Sequence, residues 1–171
     1  METLAAALGE AYLRQDMPLW VYPEPGGRAA ALAAMFRSRL SAALDDDETV
    51  VDVADDLSGA AIWQSPQVRL DEELPPGARS DVVEAFRTIS AARPQQRSWY
   101  LHGIGARIEH RGIGSALMKV GLRRCDDAAL PSALWTGHER NLDFYRKHGY
   151  RELQRFDFPG ASAWWMWRDP A

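Results

Sequence analysis

The chain has 171 residues, of which 46% are hydrophobic, so it is long enough to bury a core as one domain over 1–171. Its formal net charge of −4 argues against nucleic acid as a partner. Cys125 is the only cysteine and the four histidines lack metal-ligand spacing, so we expect neither a disulfide nor a metal site. The sequence shows no secretory leader pattern and no apolar run of membrane-spanning length, which predicts a cytoplasmic protein that contacts no membrane.

The first half of the chain is predicted to hold three helices and one β-hairpin. Apolar residues at three- and four-residue spacing indicate the helices, and short β-branched or apolar runs joined by a turn indicate the hairpin. In chain order these are helices over 4–13 and 28–44, strands over 49–53 and 60–64, and a helix over 81–92 capped by Ser80, with breaks at 16–18 and 23–27. Pro75-Pro76-Gly77 interrupts the linker between the hairpin and the third helix.

The second half alternates strands and helices. The predicted elements are a strand over 98–106, a helix from 113 to 128, a strand over 131–136, a helix over 140–148 that ends at Gly149, and strands over 150–158 and 163–167. The sequence contains no repeat and no low-complexity tract. This order predicts an α/β fold in which helices cover the faces of a mixed sheet.

The turn between the strand at 98–106 and the next helix has the features of an anion site. It reads Arg111-Gly112-Ile113-Gly114-Ser115-Ala116, so glycines precede a helix whose first amides lack internal acceptors. Glycine leaves room for a phosphate against the backbone, and bases outnumber acids over 97–124. The pattern is typical of a diphosphate site, although solvated arginines on an amphipathic helix would produce the same charge pattern.

Four stretches of the sequence occur in a characteristic order. They are Trp99-Tyr100-Leu101 with Ile104 and Ala106 as a central strand, Arg111, Gly114 and Ala116 in a [QR]-x-x-G-x-[GA] signature, the R-N-x-x-F-Y-x-x-x-G-[FY] pattern over 140–150, and a terminal hairpin of Pro159-Gly160 with residues 164–170. Together they resemble the GNAT superfamily of acyl-CoA-dependent N-acetyltransferases, closest to the branch that includes puromycin N-acetyltransferase. The likeness spans roughly residues 2–170 and is specific because the four stretches occur together.

The resemblance implies the GNAT fold, a mixed and mostly antiparallel sheet flanked by helices, here with its first strand missing. It also implies acetyl-CoA as co-substrate, with the diphosphate on the glycine turn and the pantetheine arm along a central strand splayed open at a bulge. The implied cofactor-binding residues are Ile104, Ala106, Arg111, Gly112, Gly114, Ser115 and Asn141. By the same resemblance, Tyr145 protonates the leaving thiolate. The spacing of four places Asn141 and Tyr145 on one helix face.

Each candidate side chain also has a purely structural interpretation. Tyr145 lies in an apolar run that is typical of a core, and Asn141 is a good helix-capping residue. His102 lies in mid-strand, where it could act as a catalytic base or form a hydrogen bond within the sheet. Glu109 and His110 could also serve as bases, or they could be solvated turn residues.

The sequence departs from the family pattern in three places. The glycine turn is about two residues short, which would remove charge-assisted hydrogen bonds to a diphosphate. Trp135 stands where relatives carry an acid that binds the acceptor amine, so we expect Trp135, together with Trp99, to form an apolar substrate pocket. The family's first strand is missing, which leaves the strand at 49–53 as a sheet edge that could pair with a second copy in a homodimer.

The leading hypothesis is an acyl-CoA-dependent N-acyltransferase that acts on a small-molecule amine with an apolar or aromatic body. The alternative is a GNAT-fold protein that no longer uses acetyl-CoA and binds or transforms another small molecule, in specialised metabolism. A non-catalytic binding module is the third hypothesis. Fold analogy does not decide between them.

Overall fold

One mixed sheet of six strands organises the residues described by the computed structural model, which are 1–67, 78–107 and 112–171. The strand order is β1-β2-β3-β4-β6-β5, and all neighbours are antiparallel except β3 and β4. The strands are β1 (Thr49–Val53), β2 (Gly59–Gln64), β3 (Trp99–Ala106), β4 (Ser132–Thr136), β5 (Arg151–Phe158) and β6 (Ala161–Arg168). The mixed, mostly antiparallel α/β sheet expected from the sequence is confirmed, with β1 at one edge.

Helices cover both faces of this sheet. They are α1 (Glu2–Tyr12), α2 (Asp16–Val21), α3 (Pro25–Leu44), α4 (Ser80–Ala91), α5 (Ile113–Asp127) and α6 (Leu142–Lys147), the last preceded by a 3-10 turn over Glu139–Asn141. Within the described parts of the chain, no helix has the length and apolar character needed to cross a bilayer.

Two predicted breaks near the N-terminus were wrong. The break at 16–18 is helix α2, and the break at 23–27 contains the start of α3 at Pro25. Both errors have the same cause. Pro18 and Pro25 lie in the first turn of their helices, where a backbone N–H has no intrahelical acceptor and its loss costs little.

Strand β2 shows how the two faces are packed. Ala61 and Trp63 point into the cluster under α5, whereas Ala60 and Ile62 point into the cluster under α1 and α3. The alternation follows from the two-residue period of a strand. A third cluster, around Tyr100 of β3, packs against α4 and α2.

Strand β3 is regular on one edge and open on the other. It pairs with β2 from Tyr100 to Ala106, but with β4 only at Trp99–Ser132 and Tyr100–Ala133. In the β2 ladder Ile62 faces Gly103 and Trp63 faces Leu101, so His102 is the extra residue of a β-bulge. The splayed, bulged central strand expected from the sequence is therefore confirmed.

Candidate active site

A cavity opens where β4 separates from β3. It is a cleft open to solvent, with about 710 Å³ of space when the solvent at its mouth is included. Its walls include His102 from β3, Trp135 from β4, Tyr145 from α6 and Tyr12 at the end of α1. The sequence-predicted residues His102, Trp135, Asn141 and Tyr145 are thus brought to one cavity.

Tyr145 is the most deeply buried phenol of this cavity. Burial is the main cause that raises its pKa well above the ordinary value of 10.0, and the nearby Tyr12 and Tyr150 raise it further. The phenol is therefore neutral and holds its proton at neutral pH. Burial also disfavours a thiolate in the same cavity, so a leaving sulfur would need that proton more than it would in water.

Asn141 closes the 3-10 turn one helical turn before Tyr145, and both residues line the cavity. Its Nδ2 donates to Thr136 Oγ1 at the long distance of 3.5 Å. This bond is weak enough for the amide to exchange it for a ligand. The two side chains, which the spacing of four places on one helix face, thus line the same cavity.

The bulge places His102 in the cavity wall rather than in the sheet ladder. Its Nδ1 lies 2.9 Å from Nε2 of the buried Gln64. When the Gln64 amide nitrogen donates to Nδ1 of His102, the neutral imidazole carries its hydrogen on its own Nε2. In the reverse orientation the Gln64 oxygen accepts from Nδ1–H, and Nε2 of His102 is left as the acceptor that a catalytic base requires.

Beyond the bulge, the open edge of β3 presents backbone groups towards the splay. The N–H of Ile104 donates to the hydroxyl of Tyr12 at 3.3 Å rather than to another strand. Ala106 follows two residues later and its amide points in the same direction, by the period of the strand. A strand amide that is not bonded to a neighbouring strand therefore lies at the position where the resemblance places the pantetheine arm.

The start of α5 has the backbone expected of an anion site. Gly112 adopts φ +77°, a conformation that side chains disfavour, and the first intrahelical bond runs from Ala116 N–H to Gly112 O. The amides between them lack helical acceptors. Gly114 faces Phe144, and Ser115 Oγ lies 3.2 Å from His148 Nε2.

Part of the predicted glycine turn cannot be compared with the structure. Glu109, His110 and Arg111 lie outside the described residues. The interpretation of the turn as two residues short stays a prediction for the same reason. The described half, from Gly112 onward, is compatible with a bound phosphate.

One predicted pocket residue lies elsewhere. Trp135 lines the cavity and meets Phe86 edge-to-face at 5.7 Å between ring centroids, but Trp99 packs in the cluster under α5, beneath Arg124. Trp99 and Leu101 share one face of β3, and the cavity is on the other. Trp99 therefore does not line this cavity, and the sequence does not say which face of β3 meets it.

The N-terminal helices supply cavity residues that the sequence analysis missed, among them Tyr12, Met17, Tyr22, Arg39 and Phe86. No sequence signal distinguishes them, because a cavity-facing helix stripe has the same apolar period as a core-facing one. No Asp or Glu is found among the described residues of the cavity wall. In the described ranges, no group of three His, Cys, Asp or Glu side chains could hold a metal ion.

Several solved structures share this arrangement of strands and helices. A Corynebacterium glutamicum structure of histone acetyltransferase HPA2 and related acetyltransferase is 22% identical, with a TM-score of 0.68 over 98% of this chain and 90% of that chain. PaiA N-acetyltransferase from Thermoplasma acidophilum, in complex with coenzyme A, is 12% identical, with a TM-score of 0.58 over 98% of this chain and 91% of that chain. The chain has the GNAT fold. No protein-family model matches its sequence.

The GNAT fold also occurs in a protein with a different kind of ligand. The C-terminal condensation domain of Ebony, in complex with beta-alanyl-dopamine, is 13% identical, with a TM-score of 0.65 over 95% of this chain and 90% of that chain. At such identities the likeness is one of fold, and a shared fold does not fix the chemistry of the site.

Proposed function

We propose that this protein is an acyl-CoA-dependent N-acyltransferase that transfers an acetyl group to a small-molecule amine. The observation that carries the proposal is the end of β3–β4 pairing after two residues, immediately before the bulge at His102. Beyond it, the edge of β3 offers the Ile104 N–H to a ligand, and Tyr145 stands in the same cavity. Two neighbours with coenzyme A bound, PaiA and a Bacillus subtilis acetyltransferase, support the co-substrate.

The residues present fit acetyl-CoA. The amides at the start of α5, over Gly112–Ser115, have no helical acceptors and suit its diphosphate, and the open edge of β3 at Ile104 and Ala106 suits its amide-bearing arm. Asn141 would hold that arm from the opposite wall. When bound, acetyl-CoA supplies a thioester carbonyl that an amine can attack.

Two side chains of the protein carry out the two proton transfers of the reaction. His102, at the cavity wall, accepts a proton at Nε2 from the attacking amine, directly or through water, in the tautomer whose Nδ1–H donates to the side-chain oxygen of Gln64. Tyr145 donates its phenolic proton to the leaving sulfur, and its high pKa keeps that proton in place until then. One proton thus moves from nitrogen to sulfur overall.

The cavity wall indicates an acceptor with an aromatic body. Trp135 and Phe86 form an aromatic corner, and the described wall contains no carboxylate to pair with an ammonium group. We propose an arylamine-like acceptor that is uncharged at neutral pH.

Exchange of Trp135 for glutamate tests this acceptor class. The Trp135→Glu change should weaken binding of aniline at least tenfold, because the ring contact is lost, and should improve acceptance of the cationic 2-phenylethylamine. Both amines are titrated by calorimetry in the presence of CoA. Parallel losses for the two amines would contradict the proposed acceptor class.

The co-substrate is tested by thermal unfolding with acetyl-CoA. A ligand at one hundred times its Kd stabilises the folded state by about 2.7 kcal/mol, which is several degrees of Tm for a chain of this size. ADP, which carries a diphosphate without the pantetheine arm, is the control and should shift the Tm less. If acetyl-CoA at millimolar concentration neither raises the Tm nor gives binding heat, the proposed function is wrong.

A second candidate is a GNAT-fold protein that binds another small molecule and does not use acyl-CoA. It is favoured by the Tyr12 hydroxyl, which already occupies the Ile104 N–H, and by the likeness to the Ebony condensation domain. The same thermal experiment distinguishes the two, because this candidate predicts no response to acetyl-CoA.

A further inference from the structure

Tyr12 lies at the point where the acyl oxygen would be expected. It is the last residue of α1, it lines the cavity, and its hydroxyl accepts the N–H of Ile104 at 3.3 Å. That amide belongs to the edge of β3 that β4 has left. An oxygen on this N–H is where a carbonyl oxygen of a bound thioester would also sit.

Two glycines of β3 make the contact sterically feasible. A Cβ on Gly103 would lie 3.6 Å from the Tyr12 hydroxyl, and one on Gly105 would lie 3.0 Å from Ala11 Cβ and 3.5 Å from the Tyr12 ring. Glycine weakens a strand interior, and in such a place it commonly marks the close approach of another group. The run His102-Gly103-Ile104-Gly105 is thus explained by the approach of α1.

The ring of Tyr12 is also held in place from behind. It meets Phe36 of α3 edge-to-face with 4.8 Å between centroids. Tyr12 contributes to the raised pKa of Tyr145, and both phenols line the same cavity. The hydroxyl of Tyr12 is therefore positioned by the packing of its ring and by its hydrogen bond from β3.

We propose that Tyr12 is a catalytic residue of the acyl transfer, whose hydroxyl yields the Ile104 N–H to the acyl oxygen and then donates a second hydrogen bond to it. The proposal rests on the proposed acyltransferase function. A displacement by about one O–H···O distance, roughly 2.7 Å, turns the hydroxyl from acceptor of the amide into donor to the incoming oxygen. Because Tyr12 ends its helix, its side chain can make this move without breaking α1.

The transfer is balanced as follows. The amine nitrogen forms a bond to the thioester carbon, and the carbonyl electron pair moves onto the oxygen, which the Ile104 N–H and the Tyr12 O–H then stabilise. As the pair returns, the C–S bond breaks, the amine proton leaves to His102 or water, and the sulfur takes the Tyr145 proton. Tyr12 keeps its own proton throughout. A hydrogen-bond donor that contacts the oxygen only as negative charge develops on it lowers the reaction barrier more than it strengthens substrate binding.

The test removes the hydroxyl and keeps the ring. Turnover is measured as CoA thiol released from acetyl-CoA, with aniline as probe acceptor and in parallel with water alone, since both attacks place charge on the same oxygen. Tyr12→Phe should lower turnover about 100-fold with both acceptors. Its Kd for CoA should stay unchanged, and its Kd for acetyl-CoA should stay equal or fall, because the competing hydroxyl is gone.

A second measurement follows the Ile104 amide directly by ¹H–¹⁵N NMR. Its resonance should move in unliganded Tyr12→Phe and again on addition of acetyl-CoA to the wild type. Tyr22→Phe, which removes another phenol of the cavity wall, is the matched control and should leave the Ile104 resonance in place.

The outcomes separate this inference from the function on which it rests. If wild-type protein binds acetyl-CoA but Tyr12→Phe turns over at the wild-type rate, Tyr12 is not catalytic and the acyltransferase proposal survives. Equal loss of CoA affinity and turnover would make Tyr12 a structural residue and would also overturn the inference. If the wild-type protein binds no acetyl-CoA, both proposals are wrong.

Discussion

The two edges of β3 differ, because one is paired and packed whereas the other opens onto the cavity. Towards β2, the strand is paired from Tyr100 to Ala106, and the adjoining layer is tightly packed, with the indole of Trp63 lying over Gly121 of α5. Towards β4, pairing ends after two residues and a cavity follows. The paired edge satisfies its backbone groups within the sheet, whereas the open edge presents the Ile104 N–H to a side chain and, by proposal, to a ligand.

One strand can therefore serve both core packing and ligand binding, because the backbone groups on its two edges have different partners. The bulge at His102 follows the end of pairing with β4 and redirects the strand, while the ladder to β2 continues on both sides of it. Changes on the packed side should therefore alter stability alone, and changes on the open side should alter binding or turnover alone. Each side can be tested with single substitutions.

The largest expected effect is on the packed side, at Gly121. A Cβ there would lie 2.2 Å from the buried Trp63 ring, which cannot move aside cheaply. Gly121→Ala should lower the free energy of unfolding by roughly 3 kcal/mol, the upper end of ordinary overpacking. Urea denaturation measures it. Gly26→Ala in α3 is the control, because a Cβ there meets nothing within 4 Å, and it should be neutral or stabilising.

The next largest effect is on the open side, at Tyr145. Tyr145→Phe should reduce turnover about 100-fold, since the buried phenol is the proposed acid, while the Kd for acetyl-CoA stays nearly intact. Turnover is measured as thiol release with aniline as probe acceptor.

Tyr150→Phe is the matched control for Tyr145. Its ring packs 5.9 Å from that of Tyr145, and its hydroxyl is bonded to Ser132 Oγ at 2.9 Å. The control should lose about 1 kcal/mol of stability and keep its turnover. Equal activity losses in both variants would assign Tyr145 to the core.

A smaller effect is expected at the start of α5. A Cβ on Gly114 would make only ordinary contact with Phe144, at 3.7 Å, so Gly114→Ala should fold normally. The branched side chain of Gly114→Val adds bulk beside the proposed phosphate position and should weaken acetyl-CoA binding at least tenfold by calorimetry. Unchanged affinity in the valine variant would mean that the diphosphate lies elsewhere.

The smallest effect concerns pH. Partial burial, with the nearby charges of Lys119 and Arg168, holds the pKa of His148 below its ordinary value of 6.5. Below pH 6.5 the unfolded chain therefore binds a proton at this imidazole that the folded protein does not, and the unfolding free energy falls as pH falls. His148→Gln should flatten this slope in urea titrations at a series of pH values. An identical slope in the variant would assign the pH dependence to other groups.

Much of the fold was predictable from local patterns. Periodicity located the hairpin of β1 and β2, the long strand β3 and helix α5, because these elements carry their signal in neighbouring residues. Helix α2 was missed because a proline usually ends a helix. Pro18 is tolerated because it lies in the first turn, and this position is known only once the start of the helix at Asp16 is known. The placement of Asn141 and Tyr145 on the same wall was predictable, because residues four apart lie on one helix face.

The sequence by itself determined the order of elements, the amide-rich start of α5 and the side chains that the resemblance pointed to. Only the tertiary structure decided which face of β3 meets the cavity, and therefore that Trp99 packs in the core and does not line the cavity. It also brought Tyr12 onto the Ile104 N–H, a contact across 92 positions of the chain. Such contacts depend on how helices settle on a bulged sheet, and no short-range pattern encodes that packing.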